Sequence, residues 1–315
     1  MTEIVISTSS FDLDDNPAIG KLQAAGLRIR TNPFHRRLTE AEIGDLLTDD
    51  VVGLLAGVEP LTARVIANAG NLRVISRCGV GLDNVDQDQA RERSIRVFST
   101  PDAPVDSVAE MTLGLMLATL RRIAEADRQV RAGGWPRLKG HLLKAQTVGI
   151  LGLGRIGRRV AGLCRGFGAR VIACDPIVDN YPAGVVRVDL AELLAQANIV
   201  SLHLPYNDTT RYLIGAQQLA AMQPGSLLIN TARGGLVDEA ALLEALQAGR
   251  LAGAGLDVFE SEPYSGALTQ LPQVILTPHL ASSALESRRE MELEAAGNLY
   301  LGLRNAGVIG HGDRA

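Results

Sequence analysis

The sequence predicts an α/β chain of two doubly wound lobes, each built on a parallel sheet. Three observations carry this. The first hundred residues alternate short β-branched runs with stretches rich in Ala, Leu, Glu and Gln, the rhythm of parallel βαβ units. A second alternating series begins near Gln146, with runs that are almost continuously apolar, as suits a sheet covered on both faces. Between the two series, Pro101-Asp102-Ala103-Pro104 breaks the pattern, because a residue ahead of proline is driven toward extended geometry.

In the first series, strands are expected at Ile4–Ser7, Leu27–Arg30, Val51–Leu55, Leu72–Ile75 and Ile95–Phe98. A helix is expected over Thr39–Leu47, where Thr39 can cap and Glu42 follows three residues later. One long helix is expected from Val105 to Arg131, stopped by Gly133-Gly134-Trp135-Pro136. The second series places strands at Val148–Leu151, Val171–Cys174, Ile199–Leu202, Leu227–Asn230, Gly255–Val258 and Val274–Leu276. A final helix over Leu285–Leu303 lies beyond the last of these strands, and the tail from Gly307 to Ala315 is expected to be loose. The chain is therefore expected to leave its first lobe near residue 100 and return near residue 282. The lobes are then 1–100 with 282–315, and an inserted 101–281.

Composition removes several classes of function. The 315 residues carry 31 Lys and Arg against 35 Asp and Glu, a net charge of −4, so no general attraction to nucleic acid is expected. Aromatic residues make up only 3% and provide few surfaces for stacking bases. Three scattered cysteines, Cys78, Cys164 and Cys174, suit neither a disulfide framework nor a zinc site and point to a reducing cytoplasm. The apolar run Met111–Leu120 is too short for a bilayer core of about 30 Å. The opening MTEIVISTSS lacks the basic and apolar regions of a signal peptide and reads as a strand.

The second series opens on Thr147-Val148-Gly149-Ile150-Leu151-Gly152-Leu153-Gly154-Arg155-Ile156-Gly157. Gly152, Gly154 and Gly157 form GxGxxG between a predicted strand and a predicted helix. The glycines permit the turn, the approach of a pyrophosphate and close helix packing, and the helix start favours the anion. The next strand ends in Asp175, eighteen residues after Gly157, where an acid can accept from the adenosine ribose hydroxyls. Pro176-Ile177-Val178 offers no cation for a 2′-phosphate. The inserted lobe is thus predicted to be a Rossmann-like domain that binds NAD rather than NADP.

Ligands of open α/β sheets bind at the carboxyl ends of the strands. Here those ends deliver Gly154, Asp175, His203 in HLP, Arg233 in NTARGG, Asp257, and His279 in TPH. Hydride transfer to a 2-keto acid needs a cation to hold the carboxylate and polarise the carbonyl, an acid to protonate the alkoxide, and a carboxylate to orient that acid. Arg233, His279 and Glu262 fit these roles, with Glu260 as the rival carboxylate. His203 is read as structural or cofactor-adjacent, and His35, His141 and His311 as solvent-exposed.

Ser76–Asp86 (SRCGVGLDNVD), Val108–Thr112 (VAEMT), Gly149–Arg158 (GILGLGRIGR), Asn230–Glu239 (NTARGGLVDE), Ala254–Pro263 (AGLDVFESEP) and Thr277–Ser282 (TPHLAS) occur in this order. On these stretches the chain resembles the D-isomer-specific 2-hydroxyacid dehydrogenases, and within them the D-3-phosphoglycerate dehydrogenase group. The resemblance implies an NAD-dependent oxidoreductase that interconverts a small anionic D-2-hydroxy acid and its 2-keto acid. Its substrate would be 3-phosphoglycerate or, alternatively, a hydroxypyruvate- or glyoxylate-type acid. It implies Arg233, Glu262 and His279 as catalytic residues and Arg155 and Ile156 at the pyrophosphate. Asp175 would hold the ribose, His203 and Leu204 would lie beside the cofactor, and Thr231, Ala232 and Asp257 would line its nicotinamide side. Backbone N–H groups of the Arg77-Cys78-Gly79-Val80-Gly81 loop, with the Arg77 guanidinium, would meet the substrate carboxylate from a flavodoxin-like first lobe. A homodimer through the 105–131 arm is also implied.

Three departures qualify the substrate. Where the phosphoglycerate group carries an arginine, this chain reads Leu55-Ala56-Gly57-Val58-Glu59-Pro60, leaving Arg36 and Arg37 as candidate phosphate ligands. Val80 stands where phosphite-oxidising relatives carry lysine. No appended regulatory domain is expected after the final helix. An NAD-sensing corepressor-like binding protein is the alternative from another functional class.

Overall fold

The structure, a computed structural model, describes residues 2–310. The chain divides into two compact units, one formed by the residues up to Pro104 and those from Leu285 on, the other by Val105–Ala284.

In the first unit, β1 (Glu3–Ile6), α1 (Pro17–Ala24), β2 (Arg28–Thr31), α2 (Glu40–Leu46), β3 (Val51–Ala56), α3 (Ala63–Asn68), β4 (Val74–Arg77), α4 (Gln87–Glu92) and β5 (Arg96–Phe98) alternate as expected. Thr39 caps α2 in a reciprocal box with Glu42, which satisfies two helix-end donors at once. Among the described residues the strands form a five-stranded parallel sheet ordered β2-β1-β3-β4-β5. Successive side chains of a strand face opposite sides: Val5 packs with Ile43, Val65 and Ile66 of α2 and α3, whereas Ile4 and Ile6 pack with Met291, Ala295 and Leu299. These last three belong to the final helix, which completes the unit from the far end of the chain.

In the second unit, α5 (Val105–Leu120) and α6 (Ile123–Arg131) precede β6 (Thr147–Leu151), α7 (Arg155–Gly166), β7 (Arg170–Cys174) and β8 (Val185–Arg187). Then follow α8 (Leu190–Gln196), β9 (Ile199–Leu202), α9 (Ala216–Ala221), β10 (Ser226–Asn230), α10 (Glu239–Gln247), β11 (Leu251–Leu256) and β12 (Val274–Leu276). Its sheet, seven-stranded among the described residues, is parallel in the order β12-β11-β10-β9-β6-β7-β8. Val148 and Ile150 of β6 pack with α5 and α7, while Leu151, Val200 and Leu228 pack with α8 and α10.

Four expectations are corrected. The long helix is two: Arg122 is left-handed (φ 53°), and the carbonyl of Leu120 turns to the His141 N–H at 3.0 Å in place of a donor from the next turn. The β11 strand starts at Leu251 and ends before Asp257. Its glycines allow α5 to lie close, since a Cβ on Gly255 would come within 3.1 Å of Leu115 Cβ. Strand β8 had no expected counterpart. Finally, α11 (Leu285–Asn305) ends in a Schellman turn, with Val308 N–H on Leu303 O at 3.1 Å and Gly307 at φ 71°. Ile309 is buried, so the expected loose tail is docked at its start. Residues 311–315, including His311, lie outside the described residues.

Candidate functional site

The glycine turn is built as its sequence suggests. Gly152 has φ 91°, which favours glycine, and an added Cβ would come 2.5 Å from the His203 carbonyl. A Cβ on Gly157 would come 2.0 Å from the Gly152 carbonyl, so α7 sits directly on the turn. Gly154 differs: a Cβ there meets nothing within 4 Å. It is the N-cap of α7, and no side chain caps the helix, whose start carries the positive end of the helix dipole. An open glycine at an uncapped helix start is a cradle for an anion. The Arg155 and Ile156 amides lie in that first turn, although the Ile156 side chain packs into the core.

Asp175 ends β7. Its Oδ2 accepts the Leu153 N–H at 2.7 Å, and its Oδ1 accepts those of Ile177 and Val178 at 2.9 and 3.0 Å. Burial opposes the charge, but these three donors and nearby Arg158 outweigh it and hold the carboxyl below its ordinary range. The Tyr181 hydroxyl accepts the Asp175 N–H at 3.0 Å, a support that sequence reasoning missed. These residues fit a dinucleotide: donors for its pyrophosphate and a fixed carboxylate for its ribose.

His203 and Leu204 back the Gly152 turn. The His203 N–H donates to Leu151 O at 2.7 Å, and its Nε2 lies 2.9 Å from Ser201 Oγ. The residue keeps a partly open face, but dense packing around the ring pulls its pKa down to about 3 and keeps it neutral.

The catalytic candidates lie at the carboxyl ends of three neighbouring strands. Beyond β10, Asn230 shapes the Thr231-Ala232-Arg233 turn by accepting the Ala232 N–H at 3.0 Å and donating to Arg233 O at 2.8 Å. Thr231 and Thr112 share a hydroxyl contact of 2.7 Å, and Arg233 Nη1 donates to Ala232 O. Gly234 fits only as glycine, since a Cβ would strike the Phe259–Glu260 peptide. That contact presses the Arg233 turn against the loop that carries Glu262.

His279 follows β12, left-handed at φ 56°. Its Nδ1 lies 3.0 Å from Glu262 Oε2, while Glu262 Oε1 accepts the Phe259 N–H at 3.2 Å. The N–H of the rival Glu260 donates to Glu239 Oε1 at 2.7 Å. Burial raises the Glu239 pKa, Glu260 N–H opposes this, and the charges of Glu260 and Glu262 add to it. Glu239 was absent from the sequence reading, although it closes the NTARGGLVDE motif.

Asp257, expected on the nicotinamide side, is fully buried. Its Oδ1 accepts the Thr277 hydroxyl at 2.6 Å and the Leu280 N–H at 2.8 Å, and its Oδ2 accepts the Ala281 N–H at 2.8 Å. The carboxylate clamps the turn that holds His279.

In the first unit, two amides of the Arg77–Gly81 loop are bonded within the unit. Cys78 N–H donates to Ala56 O at 2.8 Å and Gly79 N–H to Thr100 Oγ1 at 2.7 Å, and one N–H makes one such bond. The Cys78 side chain is buried and its thiol pKa is raised to about 11, chiefly by burial. Arg77 folds over Gly79 and donates to Cys78 O at 2.6 Å. Arg36, a candidate phosphate ligand, is held by both oxygens of Glu42 at 2.6 and 2.9 Å, and Arg37 is exposed. His35 and His141 are exposed as expected. Among the described residues no His, Cys, Asp and Glu cluster could hold a metal ion, and no helix is long and apolar enough to cross a membrane.

Residues 113–281 match the model of the D-isomer specific 2-hydroxyacid dehydrogenase NAD-binding domain. The chain belongs to the D-isomer-specific 2-hydroxyacid dehydrogenases. It is 38% identical over 269 residues to a hydroxypyruvate reductase of Thermotoga maritima, covering 84% of this chain and 88% of that one. It is 43% identical over 256 residues to a D-3-phosphoglycerate dehydrogenase of Mycobacterium leprae, covering 79% of this chain and only 48% of the relative. A solved D-lactate dehydrogenase of Aquifex aeolicus, complexed with NAD and lactic acid, superposes with a TM-score of 0.83 at 28% identity over 96% of each chain. As a D-2-hydroxyacid dehydrogenase, the enzyme uses NAD and interconverts a 2-hydroxy acid with its 2-keto acid.

Proposed function

We propose that the dehydrogenase works with His279 as proton donor and acceptor, Glu262 as its partner and Arg233 as the anchor of the substrate carboxylate. The 3.0 Å approach of His279 Nδ1 to Glu262 carries this reading. It assigns the Nδ1 proton to the carboxylate, which leaves Nε2 to exchange a proton with the substrate oxygen. In the reducing direction, His279 gives that proton to the developing alkoxide, and Glu262 stabilises and orients the ring throughout. The Arg233 guanidinium grips the carboxylate through paired N–H bonds and polarises the adjacent carbonyl. Bound NAD supplies the hydride acceptor, or donor in the reverse direction. Gly152, Gly154, Arg155, Ile156 and Gly157 would hold its pyrophosphate and Asp175 its ribose. His203 and Leu204 would support the turn, and Thr231, Ala232 and Asp257 would shape its nicotinamide side. Arg77 of the first unit is assigned to the substrate.

Ile123 and Val130 are exposed one above the other on α6 and form an apolar strip, and Trp135, 83% exposed, and Leu142 are exposed in the segment that follows. Such a strip supports burial against a second copy, so the enzyme is assigned as a homodimer. Its free cysteines support a reducing, cytoplasmic setting.

The test is NADH oxidation with glyoxylate, hydroxypyruvate, 2-oxoglutarate, sulfopyruvate and phosphohydroxypyruvate. His279→Ala is expected to lower turnover about 10²–10⁴-fold with NADH binding retained; unchanged turnover removes His279 from the mechanism.

A further inference from the structure

In the second unit, the loop after β11 brings Glu262 to His279, and whatever holds that loop decides where the carboxylate points. Phe259 opens the loop and Tyr264 closes it, with their rings stacked 4.4 Å apart at 21°. Both rings pack against the core that contains Leu236, Leu242 and Leu256. Within the loop the Phe259 N–H donates to Glu262 Oε1 at 3.2 Å, and Oε2 then lies 3.0 Å from His279 Nδ1. The aim of Glu262 therefore follows the orientation of the backbone at Phe259.

That backbone is held from two sides. Gly234 lies against the Phe259–Glu260 peptide, where a Cβ would come 1.9 Å from the Phe259 carbonyl carbon. The N–H of the same peptide donates to Glu239 Oε1 at 2.7 Å. Glu239 is the first residue of α10, a helix that Asp238 caps by accepting the Ala240 and Ala241 N–H groups at 3.1 and 3.0 Å. A peptide is planar, so packing on one face and a bond to its N–H fix its tilt. The Glu239 bond thus ties the Glu262 loop to a capped helix end.

A carboxylate is a costly acceptor to keep there. Glu239 is half-buried, and burial and the charges of Glu260 and Glu262 raise its pKa against the effect of the Glu260 N–H. The start of α10 offsets part of this cost. Tyr264 also stands near enough for the Glu239 charge to raise its phenol pKa, behind the larger effect of burial. Of the cations at this corner, Arg211 lies near Glu260, and Arg233 Nη1 donates to Ala232 O. An ionisable group kept at a cost beside a catalytic pair is a functional signal.

We infer that Glu239 is a positioning residue of the hydride-transfer reaction: its bond to the Glu260 N–H holds the Phe259–Glu262 turn so that Glu262 meets His279. The inference rests on the His279–Glu262 reading above, and Glu239 acts through Glu262.

The experiment measures NADH oxidation against pH, with whichever acid of the panel above the full chain reduces fastest. It compares the full chain with Glu239→Leu, Glu239→Gln, Glu239→Asp and Glu262→Gln. Reduction needs a protonated His279, so kcat/KM falls as pH rises through the pKa of the ring. Glu239→Leu is expected to lower kcat about 10- to 100-fold, as for a misplaced reacting group, and to leave the Kd of NADH unchanged. The fall in kcat/KM should begin about 0.5–1 pH unit lower, because the ring loses a well-placed carboxylate. Glu239→Gln keeps a carbonyl oxygen for the Glu260 N–H and should return kcat to within about threefold of the full chain. Glu239→Asp is a methylene short of that N–H and serves where leucine prevents folding; it should slow turnover about 3- to 10-fold. A role confined to stability would lower the urea midpoint of Glu239→Leu yet leave its kcat and pH profile as in the full chain, which overturns the inference. Native kcat in Glu239→Asp, or a Glu239→Gln as slow as Glu239→Leu, overturns it too. Glu262→Gln separates the two readings. Full activity in that variant overturns the catalytic pair and the inference together, whereas a slow Glu262→Gln beside a fully active Glu239→Leu overturns the inference alone.

Discussion

Asp257 holds His279 in place without touching its ring: the Asp257 carbonyl accepts the His279 N–H at 2.9 Å, and its carboxylate accepts the Leu280 and Ala281 N–H groups at 2.8 Å. A non-glycine residue at φ 56° is uncommon and persists where its surroundings over-determine it. Asp257→Asn replaces one acceptor with a donor facing a backbone N–H. It is expected to destabilise the protein by about 2–3 kcal/mol and to lower kcat more than it weakens NADH binding. Urea unfolding and steady-state kinetics test this, and native stability with native kcat would contradict the clamp.

Gly154 and Gly157 separate a ligand requirement from a packing requirement. Gly154→Ala adds a methyl to open space at an ordinary φ of −69°. Its stability should stay within about 0.5 kcal/mol of the parent, while NADH affinity falls about tenfold or more through crowding of the pyrophosphate. Gly157→Ala would force a Cβ to within 2.0 Å of the Gly152 carbonyl and should unfold at clearly lower denaturant. If both variants lose stability equally, the cradle assignment fails.

Asp175→Ala is expected to weaken NADH binding about 10- to 100-fold, as for lost hydrogen bonds to a charged group. NADPH should be affected less, so discrimination narrows. The folded carboxyl titrates below its reference value of 3.8, so its contribution is complete above that pH and is lost only as the pH falls through the lower folded value. Binding should therefore show no Asp175-dependent change between about pH 5 and 8. Titration of NADH fluorescence in both proteins measures it, and equal affinities would exclude the ribose role.

His203 makes stability depend on pH in a defined direction. The folded ring titrates near 3 against 6.5 for a free imidazole. Below pH 6.5 the unfolded chain takes up a proton that the folded chain does not. Stability is then lost as pH falls from about 6.5 toward 3, by at most about 1.4 kcal/mol per pH unit from this group. His203→Gln should flatten the dependence between about pH 6 and 4. Parallel curves for the two proteins would show that the ring is not held neutral.

The strand–helix alternation was legible because hydrophobic period and turn residues are local signals. Thr39 with Glu42 showed as a cap for the same reason. The break between α5 and α6 was not legible: Leu120 to Ile123 contains no glycine or proline, and the helix stops where His141, far along the chain, takes the Leu120 carbonyl. Strand β11 was displaced because Ala-Gly-Ala-Gly has low strand propensity, and only the approach of α5 explains those glycines. Strand β8 has three residues and forms at a sheet edge by pairing with β7.

For the site, residue type and order along the chain were enough to nominate Asp175, Arg233, Glu262 and His279, since each follows a strand and chemistry restricts which side chains can serve. Sequence put Glu262 ahead of Glu260 but could not show its contact with His279, because two carboxylates in one loop differ only in where the backbone aims them. Nor could it show that the Cys78 and Gly79 amides are already bonded, that Asp257 is a clamp, or that Glu239 takes the Glu260 N–H. Those are long-range hydrogen bonds, and a donor's partner is decided by the packing of distant segments rather than by its neighbours in the chain.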